Sequence, residues 1–355
     1  MSRHRLSPER GVFPFLRRAL RRAAAALGLA GGLSALPAAA GAACAGVDLL
    51  ERMAVEDPQT HAAILEAAAA EPNGEGLLWR VTGGGGPPSW LFGTFHSADP
   101  RIARVPPRAA AALAAARTVY VEITPAENRK LQQRIQADPA LILDASGATL
   151  DRLLTREQMK LAGEVAARYG VPYETLRRMR PWFLQVLIAL PPCALAVMRE
   201  GGPVLDIVLA ERAASAGKAV KSLETWEEAL ASMSGQSEQD AVEGLLVALS
   251  QAADAENFLR TTENLYLQER TMLIWHFGRA AAGEAIDAKT ADEAVARFWQ
   301  TIVVDRSARF LAAAAEGYAQ GGVFVAVGAL HLGGADGMVE MLRDAGYQVE
   351  RVPLE

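Results

Sequence analysis

The chain has 355 residues, 51% of them hydrophobic and 22% charged, with a formal net charge of −5. That much apolar material can bury a large core, and the acidic balance argues against nucleic acid and anionic membrane surfaces as partners. Only two cysteines and five histidines are present.

Residues 1–43 read as an export signal. The Arg-rich "MSRHRLSPERGVFPFLRRALRR" precedes the short apolar "AAAALGLAGGLSALPAAAGAA", with A-x-A-type cleavage expected between Ala39 and Ala43. This stretch is short for a membrane span, and no later segment is long and apolar enough to cross a bilayer. Its removal takes away seven Arg and one Glu and brings the formal charge to about −11. The remaining chain is expected to be secreted or periplasmic. A disulfide between Cys44 and Cys193 would there tie the new N-terminus to the core; two unpaired thiols are the alternative.

Residues 46–74 read as helical, ending at Asn73-Gly74. "GLLWRVT" (76–82) and "SWLFGTFH" (89–96) flank "GGGGPP", which suits a hairpin. "RVPPRAAAALAAAR" is a Pro-started helix leading into the strand "TVYVEI" (118–123). Residues 126–200 are mostly helical by apolar period, with breaks at Tyr169-Gly170, Pro181 and Pro191-Pro192. A helix over "GPVLDIVLAERAASAG" stops at Gly217 before the strand "AVKSLE" (219–224), and residues 225–320 are helical almost throughout. "VFVAVGALHL" (323–332), a helix over "GADGMVEMLRDAG" and "YQVERV" (347–352) close the chain as strand, helix, strand. Strands at both ends of a long helical middle predict one α/β or α+β domain over residues 44–355, a central mixed β-sheet covered by helices.

Two of the five histidines close apolar runs in one frame, Gly93-x-x-His96 and Gly328-x-x-His331. By strand alternation Phe92, Thr94 and His96 share a face, and so do Val327, Ala329 and His331. Both imidazoles arrive at strand ends, where ligands bind in parallel sheets, and the glycines make room for a close approach. A lone strand-end histidine is usually structural; two in one frame suggest neutral nitrogen donors to one divalent metal ion. Glu122, at the end of "TVYVE", is a candidate third donor, the alternative being a side chain that reaches water. Glu224 has the same setting or serves as a local cap or ion pair, and Asp206 is either part of the site or a first-turn acid favoured by the helix dipole. His61 and His276 fall in helical contexts and read as structural.

"EGLLWRV", "SWLFGTFHSADPRI", "VYVEI", "RPWFLQVL", "LDIVLAERAASAGKAVKSLET" and "VFVAVGALHLGGADGMVEMLRDAGYQV", in this order, resemble the TraB/GumN family, which is related to the TIKI metalloproteases. The resemblance spans almost the whole chain after the signal. Its marks are two Gly-x-x-His motifs, matched by Gly93/His96 and Gly328/His331, and a glutamate after the next strand, matched by Glu122. It implies an α/β fold with a divalent-metal hydrolase site, and peptide-bond cleavage in the TIKI branch. Where the family carries Arg-Asn before the last motif, "VVDRSARF" has Arg306 and Ser307, which puts an amide contact there in doubt. Arg306 could clamp a substrate carboxylate or oxyanion, or pair with a nearby acid.

These residues lead to the expectation of a metal-dependent hydrolase acting on peptide bonds. His96, His331 and Glu122 would be ligands, Glu122 or Arg306 would assist catalysis, and the metal would be Mn, Co or Zn. The alternatives are a non-catalytic metal- or ligand-binding envelope protein and a metal-free esterase-like hydrolase that uses a histidine as base.

Overall fold

The structure, a computed structural model, describes residues 44–145, 147, 149–282 and 287–354. The expected export signal lies outside the described residues. The sheet is built from β1 (Leu78–Thr82), β2 (Ser89–Thr94), β3 (Thr118–Val121), β4 (Ala219–Ser222), β5 (Val323–Gly328) and β6 (Gln348–Val352), in spatial order β4-β3-β5-β2-β1-β6. Strands β4, β3, β5 and β2 run parallel, while β1 pairs antiparallel with both β2 and β6, so the sheet is mixed.

All six strands fall where the sequence places them, but β2, β3, β4 and β5 end two to four residues earlier than expected. The unbroken apolar run of β5 is buried from Val323 to Val327, as a central strand covered on both faces requires. The edge strand β4 alternates exposed with half-buried residues, and β6, at the other edge, buries only Val349 fully. "GGGGPP" joins β1 to β2 as a hairpin, with Leu78 opposite Phe92.

The apolar interior falls into two clusters. One surrounds the sheet, from Leu77, Phe92 and Val119 to Phe310, Phe324 and Leu342. The other is helical, with Leu150, Val165, Phe183, Leu187, Leu245 and Leu249 at its centre. Its helices Pro181–Ile188 and Glu238–Ala252 pack on each other, and both belong to the long segments between β3 and β5. Among the described residues no single helix is long and apolar enough to cross a membrane.

The first helical stretch is not continuous. It breaks at Asp57, whose carboxylate accepts the Thr60 N–H and caps Pro58–Ala70, leaving Leu49–Glu56 as a separate helix. Cys44 and Cys193 are bonded, with Cα atoms 5.5 Å apart, so the start of the described chain is stapled to the helix Pro192–Arg199.

Candidate functional site

The four parallel strands deliver one ionisable side chain each to the same end of the sheet. In spatial order these are Glu224 just past β4, Glu122 just past β3, His331 past β5 and His96 past β2. The two Gly-x-x-His frames lie on neighbouring parallel strands, with Gly93 opposite Val327 and Thr94 opposite Gly328. Helices arrive from behind: Leu205–Ser215 brings Asp206 in its first turn, and Asp305–Gln320 brings Arg306 and Ser307.

The strand-face reading of the histidines needs correction. β5 ends at Gly328, and Ala329–His331 form a 3-10 turn, so His331 does not share a strand face with Val327. β2 likewise ends at Thr94, two residues before His96. The turns, not strand alternation, set the final direction of both rings.

His96 and Asp206 form a pair. The carboxylate accepts the Thr94 hydroxyl at 2.6 Å and lies 3.0 Å from His96 Nδ1. Asp206 raises the imidazole pKa from its ordinary 6.5 toward about 9, against the cost of burial, with Glu122 adding to the rise. The ring is 60% exposed, so water screens part of that attraction. The pair biases His96 toward its protonated form.

His331 is different. Its ring is buried, packs on Phe310 with centroids 5.1 Å apart, and places Nδ1 2.8 Å from Ser307 Oγ. Burial lowers its pKa to about 4, assisted by Arg306, although Glu122 and the Val303 carbonyl pull the other way. It is therefore neutral at pH 7. Val303 lies in the π-helical turn Trp299–Val304 that leads into Asp305–Gln320, the kind of local widening often found at functional sites. Ser307, the position where the family pattern has asparagine, thus still holds the ring by a side-chain oxygen.

Glu122 is the hinge of the network. Its Oε1 accepts the Gly328 N–H at 2.6 Å, and its Oε2 accepts Arg306 Nη2 at 2.7 Å. Burial opposes its charge, but Arg306, the two imidazoles and the Gly328 N–H override that and hold the carboxyl at about 2. Arg306 also donates from Nη2 and Nε to Glu224, at 2.6 and 3.2 Å. Glu224, 3% exposed, has its pKa raised by burial in spite of that partner. Arg306 is thus paired with two site carboxylates rather than with an acid on its own helix surface.

The two glycines have different reasons. A Cβ on Gly93 would stand 2.6 Å from Leu332 Cδ1 and 3.2 Å from Ala329 Cα, so Gly93 lets the 3-10 turn close over β2. A Cβ on Gly328 would meet Glu122 Oε1 at 3.2 Å, so Gly328 makes room for the carboxylate and donates its N–H to it.

The donor set suits a divalent ion in kind. Each imidazole has Nδ1 committed to an outer oxygen, which leaves Nε2 free, the outer support that metal-binding histidines commonly have. His331 Nε2 and Glu122 Oε1 stand 3.7 Å apart, too long for a hydrogen bond and suited to two donors each about 2.0–2.2 Å from a shared ion. Among the described residues, however, no three of His, Cys, Asp or Glu already stand together as a metal-holding group.

His276 lies outside the site. Its Nε2 is 3.2 Å from Glu71 and ties the helix Thr271–Ala280 to the end of Pro58–Ala70. His61 is half-buried on that second helix. Three neighbours were not foreseen. Thr94, the last residue of β2, enters through Asp206, which accepts its hydroxyl from 112 residues away. Ser97, whose hydroxyl donates to buried Glu263 at 2.5 Å, and Tyr266, whose hydroxyl donates to the Gly93 carbonyl at 2.9 Å, have partners 166 and 173 residues away.

The chain matches none of the curated proteins and none of the solved structures. A sequence profile of the TraB/PrgY/gumN family does match, over residues 77–351, which takes in all six strands up to Arg351 and every residue of the network just described. On that match the chain belongs to the TraB/PrgY/gumN family.

Proposed function

We propose that this protein is an exported, metal-dependent hydrolase that cleaves amide bonds of the peptide type. The observation that carries the reading is that His96, His331 and Glu122 follow three adjacent parallel strands at one end of the sheet, with His331 Nε2 and Glu122 Oε1 3.7 Å apart. A divalent ion held by these donors, Mn, Co or Zn, would supply Lewis acidity toward a carbonyl and lower the pKa of a water molecule.

The chain's own residues divide the remaining work. His331, neutral at pH 7, is ready to act as a donor, whereas His96 must first give up the proton that Asp206 stabilises. Glu122, at about 2, is too weak a base for efficient proton transfer near neutrality, so its role in this reading is that of ligand. Arg306 and the Gly328 N–H keep that carboxylate charged and oriented. In the reaction water adds to the carbonyl carbon and the C–N bond breaks. The acid product keeps the added oxygen, and the amine leaves with a proton.

Export is supported by the Arg-rich, small-residue leader and by the Cys44–Cys193 disulfide, which persists in oxidising compartments. The competing reading is a non-catalytic metal- or ligand-binding envelope protein, favoured by the fact that both oxygens of Glu122 already have partners. Metal-stripped protein incubated with a mixed peptide library and added Mn, Co or Zn separates the two. The hydrolase reading expects metal-restored cleavage that is lost in His96→Ala and His331→Ala. Metal binding by calorimetry with no cleavage under any ion would leave the binding protein standing instead.

A further inference from the structure

A cavity of about 350 Å³ lies beside this site, between the sheet cluster and the helical cluster. Ile188, Val247, Phe258 and Trp275 line it, and Phe95 and Leu330 are also in its wall. Phe95 and Leu330 are the chain neighbours of His96 and His331, so this part of the wall is one residue from each imidazole. Phe298, another lining residue, is 41% exposed, which marks where the cavity meets solvent.

The polar groups of the wall are largely spent within the protein. The Thr262 hydroxyl donates to the Phe258 and Leu259 carbonyls at 3.0 Å, Gln251 Nε2 donates to the Gly278 carbonyl at 3.2 Å, and Arg279 is paired with Asp292 at 3.1 Å. The Gln185 amide and the Trp275 indole N–H are the wall side-chain groups with no hydrogen-bond partner among the described residues. A peptide entering such a space would bring one N–H and one carbonyl per residue, and one amide with one indole N–H cannot satisfy several residues of them. An unbranched hydrocarbon brings none. The volume is more than twice the ~150 Å³ that admits the six carbons of benzene, so by that proportion it takes on the order of a dozen carbons.

We propose that this cavity holds the saturated alkyl chain, about a dozen carbons long, of an acylated ligand whose acyl carbonyl lies toward His96 and His331. That such a ligand is a substrate rests on the hydrolase reading; that it binds does not. The test uses the metal-stripped protein and a series of N-acylglycines with acyl chains of 2, 6, 8, 10, 12 and 16 carbons, titrated by calorimetry below their micelle concentrations. Affinity should rise about fourfold per added methylene, the equivalent of ~0.8 kcal/mol per buried CH₂, and level off near twelve carbons. Ala248→Phe and Val247→Trp, which place bulk in the cavity, should each weaken dodecanoyl binding at least tenfold, with circular dichroism confirming that they fold. A flat chain-length series, or wild-type affinity in both folded variants, overturns the assignment. So does a leucine-rich hexapeptide that displaces the dodecanoyl compound and fails to bind either variant. If the series behaves as expected but no metal ion restores hydrolysis of any acylglycine or peptide, the hydrolase reading falls and the alkyl site stands. Peptide cleavage together with a flat series does the reverse.

Discussion

Replacing Arg306 by Met tests the electrostatic reading of the site in isolation from any metal. Arg306 is the cation between two buried carboxylates, donating to Glu122 at 2.7 Å and to Glu224 at 2.6 Å. In the intact protein Glu122 falls from an ordinary 4.5 to about 2, worth ~3 kcal/mol of stability at about 1.36 kcal/mol per pH unit. Its pKa is depressed by folding, so that contribution is present above 4.5 and is lost as pH falls toward 2. Without the guanidinium, burial dominates both acids and lifts their pKa values above the unfolded range. The sign then reverses, and the variant is penalised at high pH and relieved as acid protonates the pair. Urea unfolding in EDTA should show Arg306→Met less stable than wild type by about 3–5 kcal/mol at pH 8, with the deficit narrowing toward pH 4.5 as the raised acids protonate and narrowing further below it as the wild-type contribution of Glu122 is lost. Adding Glu224→Gln should recover part of the loss at pH 8 by removing one unpaired charge. A deficit that stays constant between pH 4.5 and 8 would mean that Arg306 contributes packing over Phe310, 4.9 Å from its guanidinium carbon, and not the charge balance argued above.

The other expectations are more local. Gly93→Ala should lower stability by about 1–3 kcal/mol because its methyl collides with Leu332 and Ala329, measurable as a reduced urea midpoint at unchanged slope. Gly328→Ala should cost less stability, because its only tight neighbour is the Glu122 oxygen at 3.2 Å, yet it should weaken divalent-metal binding in calorimetry more than Gly93→Ala does. Asp206→Asn should remove the main cause of the raised His96 pKa, so the NMR titration of that ring should move to lower pH; an unchanged midpoint would dismiss the pair. Reducing Cys44–Cys193, or substituting Cys44→Ser, should cost about 2–5 kcal/mol, read from thermal unfolding with and without reductant.

Much of the fold could be read from short-range pattern. The run "VFVAV" is apolar at every position because β5 has neighbours on both sides and is covered on both faces, and "GGGGPP" between two apolar segments is a hairpin connection. What escaped were features decided by one side chain or by distant packing. Asp57 splits the first helix because its carboxylate reaches the Thr60 N–H, a local alternative that apolar periodicity does not register. The division of the interior into two clusters, and the cavity between them, depends on how helices far apart in sequence stack, which no window along the chain contains.

The site shows the same split between motif and geometry. Gly93-x-x-His96 and Gly328-x-x-His331 are one pattern, yet the frames are offset by one residue across the β2–β5 ladder and continue differently: the first passes through Phe95 into an exposed ring, the second through a 3-10 turn into a buried one. The glycines diverge accordingly, Gly93 sparing a packing collision and Gly328 admitting a carboxylate. The imidazoles end with opposite tendencies, His96 toward protonation beside Asp206 and His331 toward neutrality in its buried seat. None of this is in the spacing, because Asp206, Ser307 and Arg306 come from helices between the two motifs. Two like residues brought to neighbouring strand ends and then biased in opposite directions make a site in which one ring is ready to donate a lone pair while the other holds a proton to release. The uptake of a cation there should therefore carry a proton stoichiometry. Metal titration of the stripped protein in buffers of different ionisation enthalpy should report close to one proton released per ion at pH 7, falling toward zero in Asp206→Asn. Zero release by the intact protein would show that His96 is not among the ligands.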